Sequence, residues 1–379
     1  MHIHMNNKNK GVNMNNLKKL GATALAGSLV AVSAQAGELS VTGHATATLK
    51  TKGGSGMTAQ TLGHNTAINF SGSGELDNGY TWNTFVLMAD ALATISSSAL
   101  TMTMGSMGTV GISRAGGFNV NGAYDETYPR AYEENSDAGG QSPSNYVGSI
   151  NDDNAIIYTS PSFDIAGASV NFGVEYALDA DTATGKDGAV ATDSATYDEA
   201  IGIGVTASMA GLTLGAYASE ATRNNPGGGS SIAGEFRDNF SGSMFVNYSF
   251  GPVSVGYQQA YVDTGALNGT AASDATTSAK TVGTSTGIFE DESMSIAFNV
   301  NDDLSISYSE TESRYSPSNY VAGTANKYAD VSQDSDSIQI AYSMGAMSVK
   351  AYTTEIKNLN YVDGATETSV NELAIGLAF

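Results

Sequence analysis

Apolar and polar residues alternate one by one over much of this chain. Ala168, Val170, Phe172, Val174, Tyr176 and Leu178 occupy every second position, with Ser169, Asn171, Gly173, Glu175 and Ala177 between them. The same period of two runs through residues 244–250, 253–257, 296–300, 304–308 and 338–342. Successive side chains of a strand point to opposite faces, so each segment predicts a strand with one apolar and one polar face. A helix is excluded, because residues three apart differ in polarity. The chain ends in the same way: Leu373, Ile375, Leu377 and Phe379 alternate with Ala374, Gly376 and Ala378. An edge strand so apolar would template aggregation in water. It makes physical sense if the apolar face meets lipid and the sheet closes on itself.

The connections alternate as regularly as the side chains. Short turns fall at 74–79, 105–108, 161–167, 209–211, 251–252, 301–303 and 344–346. Long polar stretches lie near 51–62, 90–97, 116–153, 179–197, 221–239, 264–289, 315–333 and 358–368. Seven short and eight long connections predict an all-β fold, a 16-stranded antiparallel transmembrane β-barrel with both chain ends on the short-turn side. Strands of roughly ten residues suit a tilted crossing of a bilayer. Barrels of about sixteen to eighteen strands enclose an aqueous channel. A secreted β-sandwich or a β-solenoid also alternates, but a sandwich does not explain the long-short rhythm. No fixed-length repeat supports a solenoid.

The N-terminus adds a compartment. From Met14 the chain runs through Lys18 and Lys19 into an apolar stretch, Leu20 to Val32, then Ala34-Gln35-Ala36 before Gly37. That is the layout of a secretory signal peptide. Residues 1–36 therefore read as an N-terminal extension plus a removed signal, and 37–379 as one barrel domain. With no cysteine, thiol chemistry and disulfides are excluded. The whole chain carries 16 bases and 38 acids; removing the four lysines at 8, 10, 18 and 19 leaves 12 bases and a net charge of −26. Nucleic acid is a poor partner for such a balance.

Neither nucleophilic catalysis nor metal binding gains a site from the sequence. Gly283-Thr284-Ser285-Thr286-Gly287 matches a nucleophile pattern, but that pattern needs a strand-to-helix elbow and this one lies in a Ser/Thr/Gly loop. The only histidines after residue 36 are His44 and His64, too few for a transition-metal site. Asp179, Asp181 and Asp187 offer oxygen ligands, so calcium in the acidic loops is open, yet their spacing does not match a calcium loop and no site is assigned. No other cofactor is expected. Ser142–Val147 recurs as Ser316–Val321, an echo attributed to shared loop composition.

Four segments carry a family resemblance: Gly37–Gly43 (GELSVTG), Gly74–Gly79 (GELDNG), Ile157–Phe163 (IYTSPSF) and Gly376–Phe379 (GLAF). In this order they resemble the general porins of Gram-negative outer membranes, of the alphaproteobacterial type. The resemblance implies a water-filled channel for small hydrophilic solutes and ions, not an enzyme. It also implies an infolded third extracellular loop, a homotrimer, lipid and lipopolysaccharide as surroundings, and a terminal strand (Leu373, Ile375, Leu377, Phe379) recognised by the barrel-assembly machinery. The matching third loop carries Asp125, Glu126, Glu133, Glu134 and Asp137 as constriction acids, with Asp152, Asp153 and a lone Arg130. Opposing bases are sparse: Lys50, Arg114 and Lys350. Arg114 shares parity with Val110 and Ile112, so it reaches the lumen only if its strand ends or bulges there. His44, Glu175, Gln258 and Glu372 fall on the polar face as wall residues. This departs from many porins, which carry an Arg before the Tyr-x-Ser-Pro segment and basic residues before the final Phe. With so few bases, a cation preference is expected. A substrate-specific channel, or a surface adhesin or receptor acting through its outer loops, are the alternatives.

Overall fold

A computed structural model describes residues 37–54, 57–89, 95–138, 147–148, 155–178, 197–223, 238–265, 287–316 and 330–379. The N-terminal 36 residues, Asp152, Asp153, the aspartates at 179, 181 and 187, residues 283–286 and most of the 142–147 and 316–321 echo lie outside the described residues.

Seventeen strand segments follow one another along the chain. They are β1 (Glu38–Gly54), β2 (Met57–Glu75), β3 (Thr81–Met88), β4 (Ile95–Thr103), β5 (Thr109–Arg114), β6 (Ala155–Thr159), β7 (Phe163–Ile165), β8 (Ala168–Ala177) and β9 (Tyr197–Met209). The second half comprises β10 (Leu212–Arg223), β11 (Asn239–Phe250), β12 (Val253–Asp263), β13 (Ile288–Asn299), β14 (Leu304–Ser316), β15 (Val331–Met344), β16 (Met347–Lys357) and β17 (Thr368–Ala378). Both β6 and β7 pair with β8, so they are two parts of one wall strand and the barrel has sixteen. The break falls at Pro161, which has no N–H to give a ladder. Ser160 bridges it: its amide donates to the Phe172 carbonyl and its hydroxyl accepts from the Phe172 amide.

Every neighbouring pair is antiparallel, and β1 pairs with both β2 and β17, which closes the sheet. Gly43 and Phe379 exchange two backbone hydrogen bonds of 2.8 Å beyond the ladder at the seam. The ring of Phe379 lies over Gly43, where a Cβ would collide with it. Short turns follow from residue type. Ala166-Gly167 and Ala210-Gly211 take positive φ at both positions, as tight hairpins with right-handed strand twist require.

The period of two settles which face meets which solvent. Ile306, Tyr308, Ile338, Ile340, Leu373, Ile375, Leu377 and Phe379 are exposed on the outside, while Ser307, Ser309, Ser337 and Gln339 between them are buried on the inside. In water this would be inverted; around lipid it is the stable arrangement, because no apolar core exists on the outer face except the bilayer itself. Among the described residues no helix is long and apolar enough to cross a membrane.

Two connections differ from the expectations above. Residues 51–62 are not a long loop: β1 and β2 stay paired out to Gly54 and Met57. Their residues are the outer ends of long strands, where Thr, Lys, Gly and Gln dominate and Met57, Ala59 and Leu62 are too few to show a period. The turn expected at 161–167 narrows to Ala166-Gly167, because Phe163, Asp164 and Ile165 still pair with β8.

Candidate pore constriction

The third long connection leaves β5 through Ala115 and Gly116, both with positive φ, and turns into the barrel. Its described part then runs along the inner wall from β8 round to β1. Val120 N–H donates to Glu175 at 2.7 Å. The Tyr124 hydroxyl bonds Thr206 at 3.1 Å, and its carbonyl accepts from Ser243 and from Gln258. Thr127 carbonyl accepts from Asn247, Ala131 N–H donates to Ser307, and Tyr132 N–H donates to Gln339 at 2.8 Å. Asn135 bonds Ser309, Thr311 and Ser335. The Tyr132 hydroxyl donates to Glu372 of β17 at 2.8 Å, and Lys50 of β1 donates to the Asp137 carbonyl at 2.7 Å.

Glycines make room for this path. Gly173 and Gly204 face each other in the β8–β9 register, and a Cβ on either would run into Val120 or the Tyr124 ring. Gly256 leaves the same space for Pro129. A strand glycine weakens the strand, and here it marks a close approach of another segment. Apolar loop residues complete the seat: Val120, Tyr124 and Val147 belong to one buried cluster with Ala177, Ala200, Tyr217 and Phe245 of the wall.

The acids of this loop separate by environment. Glu126 is completely buried, accepting from Tyr128 and Ser136, and burial with Glu134 nearby holds its carboxyl well above the usual range. It does not face the open lumen, contrary to its expected place among the constriction acids. Glu134 is bridged by Arg130, four residues earlier, at 2.5 Å. Asp125 is half-buried and Asp137 is exposed. Glu133 is half-buried beside Asp137 and Glu372, and burial followed by the Asp137 carboxylate pushes it up to about 7.

The bases separate as well. Lys50 sits 3.9 Å from Glu372 and 5.8 Å from the centre of the Tyr352 ring. Lys350 lies 5.0 Å from the centre of the Tyr132 ring. Tyr132 and Tyr352 themselves stand 6.0 Å apart, so two lysines and two tyrosines gather at the barrel seam around Glu372. Arg114 is elsewhere: β5 keeps its register with β4 through the Ser98–Arg114 pair, with no bulge, so Arg114 stands in the outward register of Val110 and Ile112. β5 ends at Arg114 without a bulge, and its last pair with β4 keeps that outward register. Glu175 and Gln258 do point inward, but the third loop covers both, and they hold the loop rather than meet solute.

A cavity of about 550 Å³ lies at the seam, lined in part by His44, Asn65, Tyr132, Glu133, Lys350 and Glu372. His44 is one of the residues that line it. Among the described residues no group of three or more His, Cys, Asp or Glu is arranged to hold a metal ion. The wall residues that hold the loop, such as Ser243, Asn247, Ser307 and Gln339, carry no distinguishing mark in the alternating pattern. The inward glycines of β8, β9 and β12 were the available signal.

A closed barrel with an apolar exterior, a polar interior and a loop narrowing that interior is a water-filled membrane channel. The chain belongs to the Gram-negative porin family, whose model matches residues 21–379. It is accordingly an outer-membrane channel and not an enzyme. Among solved structures it is similar to an anion-selective porin from Comamonas acidovorans, at 12% identity and a TM-score of 0.58 over 90% of this chain and 99% of that one. It is also similar to OmpF of Salmonella typhi in complex with daunomycin, at 13% identity and 0.58 over 92% and 99%. A mutant Rh. blastica porin matches at 15% identity and 0.52 over 90% and 100%. These identities show a shared fold. No curated protein matches the chain.

Proposed function

We propose that this porin passes small hydrophilic solutes by diffusion with a preference for cations. The fold leaves the ion sign open, since a structural neighbour is named as anion-selective; the charges at the narrowing carry the argument. Asp125, Glu133, Glu134, Asp137 and Glu372 lie on or beside the loop, whereas Lys50 is engaged by Glu372 and the Asp137 carbonyl, and Arg130 by Glu134. Lys350 rests on the Tyr132 ring. A narrow, low-dielectric passage with surplus negative charge concentrates cations and repels anions. The same cavity is lined by both signs of charge, Glu133 and Glu372 with Lys350, and such a field orients dipolar solutes. Reversal potential across a planar bilayer in a salt gradient tests the reading, and a clear anion preference would sink it.

The family reading extends to a homotrimer in contact with lipopolysaccharide, inserted by the barrel-assembly machinery through the strand ending in Leu373, Ile375, Leu377 and Phe379. Ala45 and Ala47, small residues on the outward register of β1, support a subunit contact on that side, while Gly43 is already occupied by Phe379. Channel openings in steps of three are the expected record.

A further inference from the structure

The β16–β17 connection also turns inward. Tyr361 is 1% exposed, although it sits in what the sequence reads as an outer loop. Its ring packs on Phe289 of β13 and Tyr315 of β14, with centres 5.6 and 5.3 Å away, and those two rings stack at 4.6 Å. Its hydroxyl bonds Ser313 at 2.6 Å. Phe289, Ser313 and Tyr315 all occupy the register opposite to the lipid-facing Ile296 and Ile306. Tyr361 has therefore entered the barrel.

The backbone is held in place with it. Asn358, Asn360 and Tyr361 all have positive φ, at 50°, 57° and 56°. Asparagine tolerates that region; a tyrosine does so only when its surroundings impose it. The imposing contacts are present. Asn360 N–H donates to Gln333 at 2.8 Å, Asn358 donates to the Ser332 carbonyl at 2.9 Å, and Gly364 N–H returns to Asn358 at 3.1 Å. A loop that only covered the outer surface would need neither the strain nor the inward anchors. Tyr361 also joins the buried cluster that contains Val120, Tyr124 and Val147 of the third loop. Two inward loops thus rest on one continuous seat.

We propose that residues 358–367 form a second constriction, above the third loop, that sets an upper size limit on solutes entering the channel. Tyr361 is its positioning residue. This goes beyond the ion preference proposed above, because aromatic anchoring of a loop changes the aperture and not the charges at the narrowing below.

The test is a swelling assay on proteoliposomes, comparing a neutral monosaccharide with a neutral trisaccharide, alongside reversal potential on the same preparations. Tyr361→Ala removes the ring and hydroxyl. Gln333→Ala unfastens the loop from the wall side and leaves Tyr361 in place. Each variant is first checked for heat-modifiable migration, which reports a folded barrel. The trisaccharide-to-monosaccharide rate ratio should rise severalfold in both, with reversal potential unchanged, and Tyr361→Phe, which keeps the ring packing, should restore the wild-type ratio. The proposal fails if folded Tyr361→Ala and Gln333→Ala both keep the wild-type ratio. It fails equally if the ratio rises together with a shifted reversal potential when Asp363→Asn and Glu367→Gln have removed the loop's own charges, since the effect would then lie at the third loop.

Discussion

Glu133 and Glu175 are carboxylates on the same inner surface, and their surroundings give them different tasks. Glu175 is fully buried and fastens the start of the third loop through Val120 and Tyr217. Glu133 borders the open cavity with Asp137, Glu372, Lys50, Lys350 and His44 around it, and burial with its acidic neighbours raises it to about 7. A carboxyl raised in the folded state binds its proton more tightly than in the unfolded chain. Its contribution to stability is therefore complete below the ordinary carboxylate range and is lost as pH rises from there to about 7. The charge at the narrowing changes in the upper part of that window. Cation preference should be greater at alkaline pH than in mild acid, read as reversal potential in a His44→Gln background so that the imidazole does not contribute. Glu133→Gln should flatten that dependence. Parity in the sequence was enough to question Arg114. It could not distinguish Glu126 from Glu133, because the inside and outside of an irregular loop have no period.

The elements of the wall were legible because a strand between lipid and water has only two faces to fill. β8, β14 and β17 could be read residue by residue from that alternation. The outer ends of β1 and β2 look like a loop in the sequence because Thr, Lys, Gly and Gln dominate there and Met57, Ala59 and Leu62 do not fall in one period of two. The path of the third loop was written in another signal, the inward glycines at 173, 204 and 256. Gly204→Val places two methyl groups where the Tyr124 ring lies, and Tyr124 also bonds Thr206, Ser243 and Gln258. Overpacking of this kind costs about 1–3 kcal/mol, comparable with one or two of the hydrogen bonds that hold the segment. The barrel should still form, because no ladder bond is lost. Single-channel records should instead show larger and noisier openings, and the third loop should become sensitive to protease added from outside. A quiet wild-type trace from the variant would mean that the loop is held without this contact.

At the level of the whole molecule, closure converts two edges into one seam, joined by ten paired positions between β1 and β17. The exterior has no other core than lipid, so its tolerance for charge is low. Ile375→Arg puts a charge on the lipid face of the closing strand, next to Ala47 and Val349 in register. The expected cost is about 2–4 kcal/mol near mid-bilayer and less toward an interface, measured as a lower temperature of the heat-modifiable gel transition. Barrel, strand number and seam were all recoverable from sequence, since they rest on periodicity. The inward course of residues 358–367 was not, because it depends on three aromatic residues distant in sequence meeting at one place. The third loop is fastened mainly through uncharged groups, among them Ser243, Asn247, Gln258, Ser307 and Gln339, while Glu133 borders the cavity and Asp137 is exposed. Mounting and lettering are thus separate: selection, or an engineer, can rewrite the ionic taste of the pore at Glu133 or Asp137 while the bracket that carries it stays bolted in place.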